Sequence, residues 1–106
     1  MTLKKIWCFH EIKDSKTRKQ IGRINMVSNL SGDSIPHVEY DLDPSHQGKG
    51  IMTRELGKYL KTCKKNGYNK LMAVIEKDNI ASARVCEKNG FIKISEKNGY
   101  INWESF

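Results

Sequence analysis

Apolar residues recur along this chain with two different spacings, and each change of spacing marks a new element. Residues 6–12 and Gln20–Val27 (Q-I-G-R-I-N-M-V) alternate apolar and polar side chains, as half-buried strands do. His37–Leu42 alternates too, with Val38, Tyr40 and Leu42 on one face and His37, Glu39 and Asp41 on the other. From Gly50 onward the spacing lengthens. Met52, Leu56, Tyr59, Leu60 and Cys63 fall on one helical stripe, and Asn66-Gly67 supplies the stop. The short apolar run 70–75 reads as a buried strand reached by a crossover. A second helix follows, capped by Asp78 or Asn79 and ended by Asn89-Gly90. Residues 91–95 and Tyr100–Glu104 close the chain as a hairpin around E-K-N-G.

The expected order is therefore three strands, helix, strand, helix, two strands. A polar turn at 13–19 and a loop at 28–35 (with S-N-L-S-G-D-S) separate the first three strands, which are expected to form an antiparallel meander with Ile21 or Gly22 at a bulge. The fold class is α/β in the mixed α+β sense, with about six mostly antiparallel strands and two main helices. At 106 residues the chain reads as a single domain spanning 1–106, and 38% hydrophobic with 29% charged residues places it among globular proteins. No apolar run reaches membrane-spanning length, and the start M-T-L-K-K-I-W-C-F-H lacks the features of a secretory signal. A cytoplasmic location is expected.

Three widely spaced cysteines, Cys8, Cys63 and Cys86, lie inside apolar patterns, which argues for reduced thiols. No C-x-x-C pair exists and His10, His37 and His46 form no ligand cluster, so no metal is expected. The formal charge of +7 attracts anions, either nucleic acid or a polyphosphate ligand. Lys58, Lys61, Lys64 and Lys65 crowd one helix end, where they also suit the helix dipole, and no nucleic-acid signature accompanies them. Nucleic acid is disfavoured.

The segment P-S-H-Q-G-K-G-I-M, residues 44–52, joins a strand to a helix, so the free amides of 47–52 are expected to converge on one anion. Gly48 and Gly50 allow unusual dihedrals and close approach of the backbone. A glycine-rich helix start also occurs in proteins that bind nothing. Q-G-K-G is neither the phosphate loop G-x-x-x-x-G-K-S/T nor the dinucleotide fingerprint G-x-G-x-x-G, because Thr53 stands three residues after Gly50.

Y-D-L-D-P-S-H-Q-G-K-G-I-M-T-R-E-L, residues 40–56, resembles the acetyl-coenzyme A motif of the GNAT superfamily of N-acetyltransferases. That motif has Arg or Gln, Gly three positions on, and a small residue two further. Gln47 through Gly50 match, and Met52 replaces the last small residue. N-I-A-S-A-R-V-C-E-K-N-G-F, residues 79–91, is similar to the family's second motif, with Asn79, Ser82, Glu87, Lys88, Gly90 and Phe91 in register. I-G-R-I-N-M and G-K-G-I-M-T lean toward the branch that acetylates ribosomal-protein N-termini. The resemblance covers essentially the whole chain. Family members usually carry a strand and one or two helices ahead of the strand at 6–12, and these help to wall the acceptor site. Their absence implies a minimal member, a shortened gene or a second copy that completes the wall, and an exposed edge and apolar face favour a homodimer.

The resemblance implies direct attack of an amine on the thioester of acetyl-CoA, with no acyl-enzyme. Its pantetheine arm would lie in a strand splay beside a bulge following His37–Leu42, bonded by backbone groups around Leu42. Gln47, Gly48, Lys49, Gly50, Ile51 and Met52 would hold the diphosphate, with Lys49 adding charge, and Asn79 would anchor the arm from the other side. Glu39 is the candidate general base, although a solvated carboxylate is ordinary on an alternating strand. His37 could serve instead through water. Where many members place a tyrosine that protonates the leaving thiolate, seven residues after the motif asparagine, this chain has Cys86, which is either an acid or core filler. Tyr40 and Tyr59 read as packing residues. The alternatives are a non-catalytic coenzyme A-binding or regulatory module and a basic nucleic-acid-binding protein.

Overall fold

The computed structural model describes residues 9–27 and 35–105, and the elements follow the expected order. Strands β1 (Phe9–Lys13), β2 (Gln20–Val27) and β3 (His37–Leu42) form the antiparallel meander. Residues 6–8 of the expected first strand and 28–34 of the expected loop lie outside the described residues. The β1–β2 pairing slips after Ile12, which faces Gly22 while Lys13 faces Gln20, so Ile21 is the bulged residue. Gly22 is needed for a different reason: a Cβ there would lie 2.5 Å from the Asp41 carbonyl oxygen and 2.8 Å from Leu42 Cδ1. Only a bare backbone lets β3 close on β2 at this point.

Beyond the meander come α1 (Ile51–Lys65), β4 (Met72–Glu76), α2 (Ile80–Lys88), β5 (Ile92–Lys97) and β6 (Tyr100–Glu104). The sheet runs β1-β2-β3-β4-β6-β5, and β3–β4, joined by the α1 crossover, is its parallel pair. Leu71 stays outside β4. Its N–H donates to Ser105 Oγ at 2.9 Å and its carbonyl accepts from the Ser105 N–H, so it bonds to the chain end instead of to the ladder. Phe91 likewise precedes β5, because its N–H closes α2 on the Cys86 carbonyl. β5 runs on to Lys97, two residues past the expected end, since Asn98 and Gly99 alone make the turn, with φ 54° and 84°, the all-positive pair of a two-residue connection, while β6 keeps its expected bounds.

One buried cluster joins Ile12, Ile24, Val38, Ala73, Ile75 and Trp103 of the sheet to Met52, Leu56, Tyr59, Leu60 and Cys63 of α1 and Cys86 of α2. Both helices therefore cover the same face. Burying a large apolar side chain contributes about 1.5–3 kcal/mol, so this stripe more than intrinsic propensity keeps α1 helical. The opposite face leaves Phe9, Val27, Val74 and Tyr100 exposed.

Candidate active site

Strands β3 and β4 pair at a single position, His37 with Met72, next to the bond from the Met72 N–H to the Pro36 carbonyl (2.9 Å). Past that point each strand keeps its other neighbour, β3 with β2 up to Leu42 and β4 with β6 up to Glu76, and the two part. The β2–β3 register is unbroken, so the splay arises without a bulge in β3; the irregularity sits on β2, at Ile21. A cavity of about 380 Å³ opens on the helical side, lined among others by Leu42, Gly48, Gly50 and Met52. A second, of about 290 Å³, is lined by Val38, Glu39, Val74, Glu76 and Tyr100. Tyr40, Asn79 and Ser82 line both, so the cavities meet at these three side chains.

The loop between β3 and α1 begins with a 3-10 turn at Pro44–His46. That turn uses one of the amides expected to be free, because Gln47 N–H donates to the Pro44 carbonyl at 3.2 Å. The open run is shifted by one residue. From Gly48 through Thr53 the N–H groups have no partner among the described residues, and the first helical bond runs from Arg54 N–H to the Gly50 carbonyl (3.1 Å). Gly48 and Gly50 both take φ 77°, and a Cβ on either would meet nothing within 4 Å. Glycine is thus required here by backbone dihedral, and the space in front of the turn is open. Helix α1 starts with neither a side-chain cap nor an acidic residue in its first turn, so the positive end of its dipole is uncompensated.

Gln47 contributes its side chain differently, with Nε2 donating to the Leu42 carbonyl at 2.8 Å and pinning the loop to the end of β3. The loop is latched a second time through His46. Its Nε2 lies 3.0 Å from Asp14 Oδ2, and its Nδ1 lies 3.1 Å from Ser45 Oγ and 3.4 Å from Asp43 Oδ2. The N–H of Thr17, then the His46 ring and the Lys16 N–H, hold the Asp14 carboxyl down at about 2. Nearby, burial pushes Glu55 up, but the His10 hydrogen bond at 2.9 Å and the cations of Lys58 and Arg54 outweigh it and hold the carboxyl below its usual range.

Helix α2 forms the far wall. Asn79, not Asp78, caps it, accepting the Ser82 N–H at 3.2 Å, and the Asn79 amide nitrogen has no partner among the described residues. Tyr40 Oη donates to the Ser82 carbonyl at 2.9 Å and lies 3.1 Å from Cys86 Sγ. With the phenolic hydrogen committed to Ser82, the thiol is the donor of the second contact. Burial pushes the Cys86 thiol up to about 11, against the lowering effect of Tyr40. Burial, with Cys86 beside it, also raises Tyr40.

Of the residues singled out in the sequence, Leu42, Gln47, Gly48, Gly50, Ile51, Met52 and Asn79 line the larger cavity and Glu39 the smaller. Lys49, exposed, lines neither; nor does His37, half-buried at the apex of the splay, nor the fully buried Cys86. Arg84 was missed and Lys88 was named only as a motif match with no role, and both line the larger cavity. The signal was present, because Ala81, Arg84, Val85 and Lys88 follow helical spacing along one face of α2.

Residues 3–92 match the family model described as an acetyltransferase (GNAT) domain. The chain belongs to the GNAT acetyltransferase family. Solved structures superpose closely. A putative GnaT-family acetyltransferase from Bordetella pertussis is 20% identical with a TM-score of 0.77, over 92% of this chain and 65% of that one. The ribosomal-protein-S5-alanine acetyltransferase from Vibrio fischeri is 28% identical with a TM-score of 0.79, over 91% of this chain and 59% of that one. A domain from Methanocaldococcus jannaschii is also 28% identical, with a TM-score of 0.75, over 87% of this chain and 60% of that one. This GNAT chain thus spans roughly two thirds or less of the length of the structures it matches. No curated protein matches it in sequence. Among the described residues no three His, Cys, Asp or Glu side chains gather as a metal site requires, and no helix is long and apolar enough to cross a membrane.

Proposed function

We propose that this GNAT domain is one acetyl-CoA-binding unit that transfers the acetyl group directly to a primary amine. One observation carries the reading: six consecutive amides, Gly48 through Thr53, with no partner among the described residues, at the uncapped positive end of α1 and beside a splayed sheet. A diphosphate fits such a turn because its charge is diffuse and its oxygens accept several N–H bonds together. Main-chain groups of β3 between Glu39 and Leu42, which β4 does not pair, would receive the pantetheine arm as an added strand, with the free Asn79 amide donating from the opposite wall.

The thioester supplies the activated acyl group, and the chain's own residues place the amine and move protons. Glu39 lines the smaller cavity and has no ion-pair partner among the described residues, so it is assigned the proton of the incoming ammonium. His37, two residues back on the same strand face, would act only through water. Cys86 keeps its proton at neutral pH and would reach a departing thiolate only by way of the Tyr40 hydroxyl, which lines both cavities. Water is the simpler donor, since coenzyme A thiolate is a weak enough base to leave unassisted.

The acceptor panel starts with a peptide bearing an N-terminal alanine, alanine being the residue named for the 28%-identical Vibrio fischeri structure, followed by lysine, polyamines and small amines. A cytoplasmic location belongs to the same reading, supported by the buried free thiol of Cys86. So does a homodimer, supported by the exposed apolar side chains of the uncovered sheet face. The test is titration with acetyl-CoA followed by thiol release with each amine. Saturable binding and turnover are expected. Binding without turnover by any amine would make the protein a coenzyme A-binding module, and salt-sensitive DNA affinity without acetyl-CoA binding would replace the reading with nucleic-acid binding.

A further inference from the structure

Helix α2 carries two cations that the transfer chemistry does not use. Arg84 and Lys88 lie one turn apart on the stripe that faces the larger cavity, across from Gly48 and Gly50. Neither has an ion-pair partner among the described residues, and of the Lys and Arg side chains so placed these are the two that line the larger cavity. A basic residue in the last turn suits the helix dipole, which accounts for Lys88. It does not account for Arg84, in the middle of α2.

Their position along the helix narrows what they can meet. Asn79, at the junction of the two cavities, marks where the reacting end of the donor would sit. Lys88 lies nine residues further on, about 13 Å along the helix axis, at the end of the cavity remote from the chemistry. On the acetyl-CoA reading that end would face the nucleotide. The amides of 48–53 offer six donors to a diphosphate, and Lys49 does not line the cavity, so the two further full charges can serve a further phosphate. The acyl donor carries one, on its ribose.

We infer that Arg84 and Lys88 form a second phosphate subsite that reads the 3′-phosphate of the donor, so that the protein selects coenzyme A thioesters over their dephospho forms. The inference rests on the acetyl-CoA reading above and adds to it the residues that set donor specificity. Arginine offers a bidentate fork to a phosphate monoester and lysine a point charge, a combination that favours a dianion over the singly charged groups of a diphosphate bridge.

The experiment measures the Kd of acetyl-CoA and of acetyl-3′-dephospho-CoA for the wild type and for the double variant Arg84→Gln, Lys88→Gln. Glutamine keeps helix propensity at exposed sites, so the fold is not at stake. The wild type is expected to prefer the phosphorylated donor by about ten- to a hundredfold, as charge-assisted contacts allow. In the variant that preference should fall to about threefold or less, with affinity for the dephospho donor unchanged. An undiminished preference overturns the inference, as does equal binding of both donors by the wild type. Equal weakening of both donors in the variant also overturns it, by assigning the pair to the diphosphate. A wild type that binds neither donor overturns the acetyl-CoA reading itself, and the subsite falls with it.

Discussion

Gly48 and Gly50 show how much of the site turns on single backbone angles. Both sit at φ 77° with open space where a Cβ would go, so alanine is disfavoured by strain and not by collision. Gly50→Ala should cost about 1–2 kcal/mol of stability, the penalty of a left-handed non-glycine residue, and chemical denaturation would measure it. Gly50→Glu adds a carboxylate in front of the amides and should abolish acetyl-CoA binding in a calorimetric titration; unchanged affinity contradicts the cradle. Glu39→Gln should lower kcat by about 10²–10⁴-fold with donor affinity intact. A kcat within twofold of wild type would return Glu39 to the ordinary role of a solvated strand residue. The turn glycines and Asn79 were legible because glycine and cap signals are local. The engagement of the Gln47 amide was not, since it depends on a 3-10 turn that Pro44 opens three residues earlier. The side chain of Lys49 lies outside the cavity lining for a related reason: a charge within a motif does not reveal which way its side chain points.

At the scale of elements, the β1–β2 turn and the β3–α1 loop act as one piece, because Asp14 bonds at once to its own turn and to His46 of the loop. The Asp14 carboxyl titrates at about 2 in the fold against 3.8 when unperturbed, so its depressed pKa adds stability above about pH 4, and that stability is lost as the pH falls toward 2. Melting temperatures of wild type and Asp14→Asn should therefore differ most above pH 4 and converge near pH 2. A constant difference across that range would show that the latch is not electrostatic. The element pattern itself was largely readable: the period changes at Gly50 and again near residue 70, and the Asn98-Gly99 turn announces a hairpin. What escaped were ends fixed by distant partners. Leu71 is apolar enough for a strand, yet Ser105 claims both its backbone groups.

For the molecule as a whole, the splay between β3 and β4 is a property of the sheet and of no single segment. It exists because each strand has a second neighbour that holds it while the single His37–Met72 contact acts as the apex. Sequence periodicity cannot report it; the family resemblance could, and the strand registers bear it out. The face away from the helices, with Phe9, Val27, Val74 and Tyr100 exposed, should bring two chains together, and sedimentation velocity is expected to show a dimer. A single monomeric boundary across a wide concentration range would contradict that assembly.

The amides of 48–53 are expected to receive the diphosphate of the acyl donor. Titrating ¹⁵N-labelled protein with acetyl-CoA reads those amides one by one. The expected result is saturable shifts that are largest at Gly48, Lys49, Gly50, Ile51, Met52 and Thr53. Binding that leaves these six signals in place while others move, or no binding at saturating donor, would contradict it.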